Sequence, residues 1–104
     1  MQAKARSYGL TPRALADLED IWRYSATTWS LAQAESYIDD LSAAFSQLAA
    51  TPAMARERPE FSPPVRIHVC REHLIVYRVE DERILIIRIL GGMSDWQAVL
   101  RRLD

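Results

Sequence analysis

Apolar residues follow two rhythms along this chain. In the first half they recur every three or four positions, and in the second they alternate or run together. Leu15, Leu18 and Trp22, with Ile21 beside them, keep helical spacing, while Arg13, Asp17, Asp20 and Arg23 mark the opposite face. Thr11 precedes Pro12, so a side-chain oxygen is available to cap the first turn. Proline suits the first helical position because its missing N–H would have no partner there anyway. These signals predict an amphipathic helix over 12–27. A second begins after Ser30, which with Gln33 fits a capping box. Ala34, Tyr37, Ile38, Leu41, Ala44, Phe45 and Leu48 carry its stripe until Thr51-Pro52, where the residue before proline leaves the helical region. Two amphipathic helices on a short link predict an antiparallel hairpin, and burying both stripes requires a third layer.

That layer is predicted by the second rhythm. Residues 53–65 hold three prolines and no period, so a loop with solvated Arg56, Glu57, Arg58 and Glu60 is expected. From 66 to 71, Ile67 and Val69 alternate with His68 and Cys70, the period of a strand. A tight turn is expected at Glu72-His73, a β-branched and aromatic strand over 74–79, and a charged turn at 80–82. Residues 84–90 are almost all apolar, as for a central strand covered on both faces. Gly91-Gly92 ends it, and Ser94 with Gln97 suggests another capping box before Trp96, Val99, Leu100 and Leu103. A short first strand is expected over 5–10, in the same sheet but with no readable neighbour. The fold class is therefore α+β, in the order β-α-α-β-β-β with a short C-terminal helix and a helical hairpin packed on a mainly antiparallel sheet.

Composition narrows this only a little. The chain has 104 residues, suited to a single domain spanning 1–104. Its net charge of −1 gives no electrostatic case for direct sequence-specific DNA binding. Lys4, Arg6, Arg13 and Arg23 face six acids in the first half, and the second half is slightly basic. Cys70 is the single cysteine, so a disulfide within the chain is excluded and a reducing compartment is expected. The sequence has neither a signal-peptide pattern nor a membrane-length apolar run, which leads to the expectation of a cytoplasmic protein.

Several segments, in this order, resemble ParE-like toxins of the RelE/ParE superfamily. They are Leu10-Thr11-Pro12, the run Ala16-Asp17-Leu18-Glu19-Asp20-Ile21-Trp22-Arg23-Tyr24, and Trp29 followed by Gln33-Ala34-Glu35-Ser36-Tyr37-Ile38. Leu48-Ala49 before Pro52, the stretch His73-Leu74-Ile75-Val76-Tyr77-Arg78-Val79 and residues 84–90 complete the match. The resemblance implies the toxin of a type II toxin–antitoxin pair, neutralised by a ParD-like antitoxin in a hetero-oligomer, with DNA gyrase as target. Relatives on the same fold, of the RelE kind, instead cut messenger RNA on the ribosome. A third reading is a non-toxic antitoxin-binding module. Fold alone does not choose among them.

The chemistry-bearing residues favour binding. Ribonucleolytic cleavage needs groups that move protons and cations that hold phosphate. Arg66, Arg71, His73, Arg78 and Arg88 are the candidates, but the RelE-like tail normally adds a Tyr or His where this chain has Met93-Ser94-Asp95-Trp96. Solvent-facing arginines paired with Glu72 and Glu80–Glu82 are the plain alternative. His68-x-Cys70-x-x-His73 has ligand types without the repeated spacing of a zinc site, so neither a metal nor a cofactor is expected. Trp22, Tyr24, Trp29 and Tyr37 could form a recognition surface, but three of them fall on or near the hairpin seam, so core packing is the expected use. Antitoxin contacts are assigned, from pattern and resemblance, to Leu18, Trp22, Tyr37, Arg66, Arg71, Arg78 and Trp96. Met93, Ser94, Asp95 and Trp96 are assigned as gyrase contacts.

Overall fold

A computed structural model describes residues 7–102. The first strand expected from residue 5, and the helix position expected for Leu103, reach beyond those residues. The elements are β1 (Ser7–Leu10), α1 (Pro12–Thr28), α2 (Leu31–Ala50), a 3-10 turn (Pro52–Met54), β2 (Glu57–Arg58), β3 (Val65–Cys70), β4 (His73–Glu80), β5 (Arg83–Gly91) and α3 (Trp96–Arg101). Both long helices start as their caps dictate. The Thr11 hydroxyl accepts from the Ala14 N–H at 3.1 Å, and the Ser30 hydroxyl from the Gln33 N–H at 3.0 Å.

The sheet has the order β1-β5-β4-β3-β2. Strands β2 to β5 are antiparallel neighbours, while β1 lies parallel to β5 with Tyr8 opposite Ile84 and Leu10 opposite Ile86. The neighbour of the first strand is thus the last strand in the chain. Strand β2 falls inside the segment expected to be loop; it is two residues long, too short for any period to register. The β3–β4 turn is Arg71-Glu72 rather than Glu72-His73, because Cys70 pairs with His73. Arg71 and Asp81 open their two-residue turns with positive φ, 56° and 51°, the backbone hand that suits a tight hairpin.

One sheet face packs on the helical hairpin. Leu41, Phe45 and Leu48 of α2 meet Ile75, Tyr77, Ile84, Ile86 and Ile89, all buried. Burial of side chains this size stabilises by about 1.5–3 kcal/mol each relative to exposure. The other face is covered more thinly. Phe61 from the 59–64 loop and Leu100 from α3 close over Val65, Val76 and Leu90, with Trp96 at the margin. A bulge in β5 divides its side chains between the two cores. Val76 pairs with Arg88 but Tyr77 with Ile86, leaving Ile87 as the extra residue. Beyond the bulge Ile89 turns to the hairpin, and Ile87 and Leu90 to the other side.

Strand β1 covers only the first half of the β5 edge. The rest is sealed by α1 and its cap. Thr11 donates its backbone N–H to the Ile86 carbonyl at 3.0 Å and its hydroxyl to the Ile87 carbonyl at 2.8 Å. The Asp17 carboxylate accepts the Ile89 N–H at 2.9 Å and grips Arg88 through two further bonds. Unpaired strand groups are thus satisfied by a helix instead of a sixth strand. Asp17 was expected on the solvent face of α1; it points inward because the true inner row is Ala14, Asp17, Leu18, Ile21 and Ser25. The capping box expected at Ser94 is also corrected. Asp95 holds the cap position without a side-chain bond, and the Ser94 hydroxyl donates back to the Gly91 carbonyl at 2.6 Å. Among the described residues, no helix is long and apolar enough to cross a membrane.

Candidate partner-binding surfaces

Rotating the inner row of α1 by one position leaves a different apolar row outside. That row is Leu15, 51% exposed, and Trp22, 40%; Tyr24, 64% exposed, lies on the other flank of α1, toward Trp29 in the interhelical link at 70%. Leu31 at the start of α2 is exposed as well. Trp22, Tyr24 and Trp29, for which core packing was the expected use, are therefore not packed in the core. Helical period finds an apolar stripe but cannot tell its inner from its outer edge when Ala14 and Ser25 do the inward packing. Of the expected contacts, Trp22 lies on this outer row. Leu18 is half-buried against the hairpin core.

Tyr37 and Arg71 belong to a second feature, a recess of about 410 Å³ where the end of α1 and the start of α2 overhang the β3–β4 turn. Asp20, Tyr24, Trp29, Tyr37, Glu72 and His73 are among its walls. The Tyr37 hydroxyl accepts the Glu72 N–H at 3.1 Å and lies 2.6 Å from His73 Nδ1. Since the hydroxyl oxygen already accepts, its own proton is free to go to Nδ1, which requires a neutral imidazole. Burial supplies it: desolvation pulls His73 below its ordinary pKa, against the opposing pull of Glu72 and Asp17. Burial likewise raises Tyr37, so both groups are neutral near pH 7. The Arg71 guanidinium stacks over the Tyr37 ring at 4.6 Å and holds Asp40 at 2.7 Å.

The other expected contacts lie elsewhere. Arg66 and Arg78 flank a shallow notch with Glu57, Pro63 and Pro64, about 240 Å³ in volume. Arg66 donates to the Ala55 carbonyl and Arg78 to Glu80 at 3.3 Å, while the buried Arg78 Nε–H has no partner among the described residues. Trp96 is half-buried on the opposite sheet face, 6.3 Å from the Phe61 ring. Just before it, Met93 is fully exposed and Ser94 and Asp95 are exposed. The seven expected antitoxin contacts therefore fall on several surfaces. The five groups considered for RNA cleavage do not form one cluster: Arg71 and His73 share the recess beside Tyr37, Arg66 and Arg78 share the notch, and Arg88 is held by Asp17. Of the expected pairings with Glu72 and Glu80–Glu82, only that of Arg78 with Glu80 forms among the described residues. Sequence reasoning missed the recess because its walls come from three segments, and missed Asp17 because a lone aspartate in a helix reads as solvated.

A further open surface is the outer edge of β3. Strand β2 pairs with Val65 and Arg66 only, so β3 from Ile67 onward has no neighbour on that side among the described residues. Val69 on this stretch is exposed.

Comparison with known proteins gives this geometry its context. Residues 8–96 match the family described as ParE toxin of type II toxin-antitoxin system, parDE. Toxin ParE1 of Caulobacter vibrioides is 36% identical over 95 residues, covering 91% of this chain and 98% of the relative. Toxin ParE1 of Mycobacterium tuberculosis is 36% identical over 89 residues, 85% of this chain and 91% of the relative. Toxin ParE of Escherichia coli is 35% identical over 90 residues, 86% and 87% respectively. Among solved structures, a chain from the chromosomal ParDE TA system of P. aeruginosa superposes with a TM-score of 0.72 at 24% identity, covering 84% of this chain and 96% of that one. The hairpin on a five-stranded sheet and a sequence match running from β1 to the start of α3 lead to one conclusion: the chain belongs to the ParE toxin family of type II toxin–antitoxin systems.

Proposed function

We propose that this toxin is neutralised by a ParD-like antitoxin in a hetero-oligomer and acts on DNA gyrase by binding, in the cytoplasm. The observation that carries the antitoxin reading is the outer row of α1, an exposed apolar face on an otherwise well-packed domain. An amphipathic antitoxin helix fits such a face, and an extended antitoxin segment fits the open edge of β3. Arg66 and Arg78 would then receive acidic side chains in fork geometry. Trp22 is the expected anchor, because partly exposed indoles concentrate binding energy. Tyr37 and Arg71 would contribute where the interface reaches the recess, and Leu18 by supporting the row from below. Trp96 is kept for the opposite face.

Gyrase inhibition by binding accords with the engagement of His73 and the arginines within the fold: Arg71, Arg78 and Arg88 are each paired with a carboxylate, and His73 is bonded to Tyr37. Met93 and its neighbours Ser94, Asp95 and Trp96 form the proposed gyrase contact. The test mixes purified toxin with gyrase and supercoiled plasmid. Accumulation of cleaved plasmid is expected, reduced by Met93→Asp. Absence of cleavage by a preparation that still arrests growth overturns the gyrase assignment. Codon-specific cuts in a translated message would move the protein to the RelE-like reading. Normal growth with soluble toxin expressed alone would favour a non-toxic binding module. For the antitoxin, co-expression with the product of the adjacent reading frame is expected to yield a stable complex.

A further inference from the structure

The recess at the open end of the hairpin has a composition that selects its occupant. We infer that it receives one arginine side chain presented by a partner polypeptide. Its rim carries two exposed aromatic rings, Tyr24 and Trp29, and its walls two carboxylates, Asp20 and Glu72, and one guanidinium, Arg71. The chain already demonstrates the chemistry on the third ring, where Arg71 lies over Tyr37 at 4.6 Å. That guanidinium is committed to Asp40, so it does not neutralise Glu72 by a direct bond. No ion pair to Glu72 forms among the described residues. Among the described residues Asp20 is held only by Arg23, an exposed pair at 3.0 Å that water and salt weaken. His73 adds no positive charge, being hydrogen-bonded in its neutral form to Tyr37. The recess therefore offers aromatic faces and one carboxylate, Glu72, with no ion-pair partner among the described residues, while the charge of Arg71 is balanced by Asp40. A planar guanidinium uses both at once, stacking on an indole while donating to a carboxylate, which a compact ammonium does less well. The volume of about 410 Å³ has room for such a side chain together with some water.

This inference rests on the antitoxin reading for the partner's identity, but its test does not use the antitoxin. The toxin, labelled with ¹⁵N in its tryptophan indoles, is titrated with the capped peptide Gly-Arg-Gly and with its neutral isostere Gly-citrulline-Gly. The Trp29 indole resonance, assigned by its loss in Trp29→Phe, is expected to move saturably with the arginine peptide. The citrulline peptide should bind about ten-fold more weakly, the loss of one charge-assisted contact on an aromatic face. Glu72→Gln, on an exposed turn, should weaken the arginine peptide at least about three-fold, with an unchanged melting curve showing that the fold is intact. An unmoved Trp29 resonance, equal response to the two peptides, or indifference to Glu72→Gln overturns the inference. Any of these leaves antitoxin docking along α1 standing, because that is read from complex formation.

Discussion

Asp17 and Arg88 lock α1 to the last strand through two hydrogen bonds of 2.9 and 3.1 Å, with both side chains largely withdrawn from water. The same carboxylate takes the Ile89 N–H. One side chain therefore compensates a guanidinium and a strand donor that has no neighbouring strand to bond.

Removing the two partners should not cost the same. Asp17→Ala leaves both the guanidinium and the Ile89 N–H without an acceptor, and is expected to destabilise by about 3 kcal/mol or more. Arg88→Met leaves Asp17 still bonded to Ile89, and should cost about half as much. Urea unfolding of the two variants checks the order. An Arg88→Met cost above that of Asp17→Ala would contradict the strand-sealing role.

His73 gives the fold a pH dependence of definite sign. Its pKa is lowered by burial from the ordinary value of 6.5, so the unfolded chain takes up a proton first as pH falls. The associated stability is complete above that value and is lost as pH drops through the folded-state pKa. Protonation also removes the acceptor that Tyr37 donates to, although Glu72 and Asp17 facing the imidazole soften the effect. Thermal unfolding between pH 7.5 and pH 5 should show a decline that is shallower in His73→Gln. Tyr37→Phe should lose about 1–2 kcal/mol at neutral pH, the cost of an orphaned Glu72 N–H and a lost bond to His73.

The outer row of α1 separates binding from stability. Leu15→Lys places a charge where the side chain is already half in water, and should change stability by no more than about 0.5 kcal/mol. Affinity for the antitoxin, measured by calorimetry on the purified pair, should fall at least about ten-fold for Leu15→Lys and further for Trp22→Lys. Unchanged affinity in both would remove α1 from the interface.

The thin second core depends on one loop residue. Phe61 is buried beside Val65, Val76, Leu90 and Leu100, although its segment looks like an irregular proline-rich loop. Phe61→Ala should cost about 3–5 kcal/mol, and should shift the Trp96 indole resonance, since the two rings are neighbours. A cost below about 1 kcal/mol would mean that α3 can close the face without it.

Gly9 provides a contrasting substitution. A methyl group there would meet only the far end of the Arg83 side chain, which can swing away, and the backbone is not in the left-handed region. Gly9→Ala should therefore be nearly neutral, within about 1 kcal/mol in a melting experiment.

How much of this was legible beforehand follows from the range over which each signal acts. The two helices, their caps at Thr11 and Ser30 and three strands are written in local period, and local period found them. Strand β2 was too short to carry a period. The β5 bulge was hidden because a run of apolar residues reads the same with or without a shift of phase at Ile87. The turn at Arg71-Glu72 was misplaced by one residue, since His73 suits a turn or a strand equally. Surfaces fared worse than elements. Trp22, singled out from pattern, is exposed, but the face on which it lies was not legible, because small Ala14 and Ser25 pack inward where the larger Leu15 and Trp22 do not. The recess needs α1, α2 and the β3–β4 turn together, and no window of sequence contains all three.

The parallel seam between β1 and β5 also bears on when this protein becomes itself. Leu10 finds its partner 76 residues later, at Ile86. The helices that carry the outer row are synthesised first, yet the sheet they must cover is completed last. During translation the hairpin therefore has no finished floor, and the Asp17–Arg88 lock cannot close until the final strand has left the ribosome. A chain interrupted before β5 would have its apolar helical stripes made and nothing to bury them against. The fold delays the mature toxin surface until β5 has been translated, leaving an interval in which an antitoxin already present can meet the chain as it assembles.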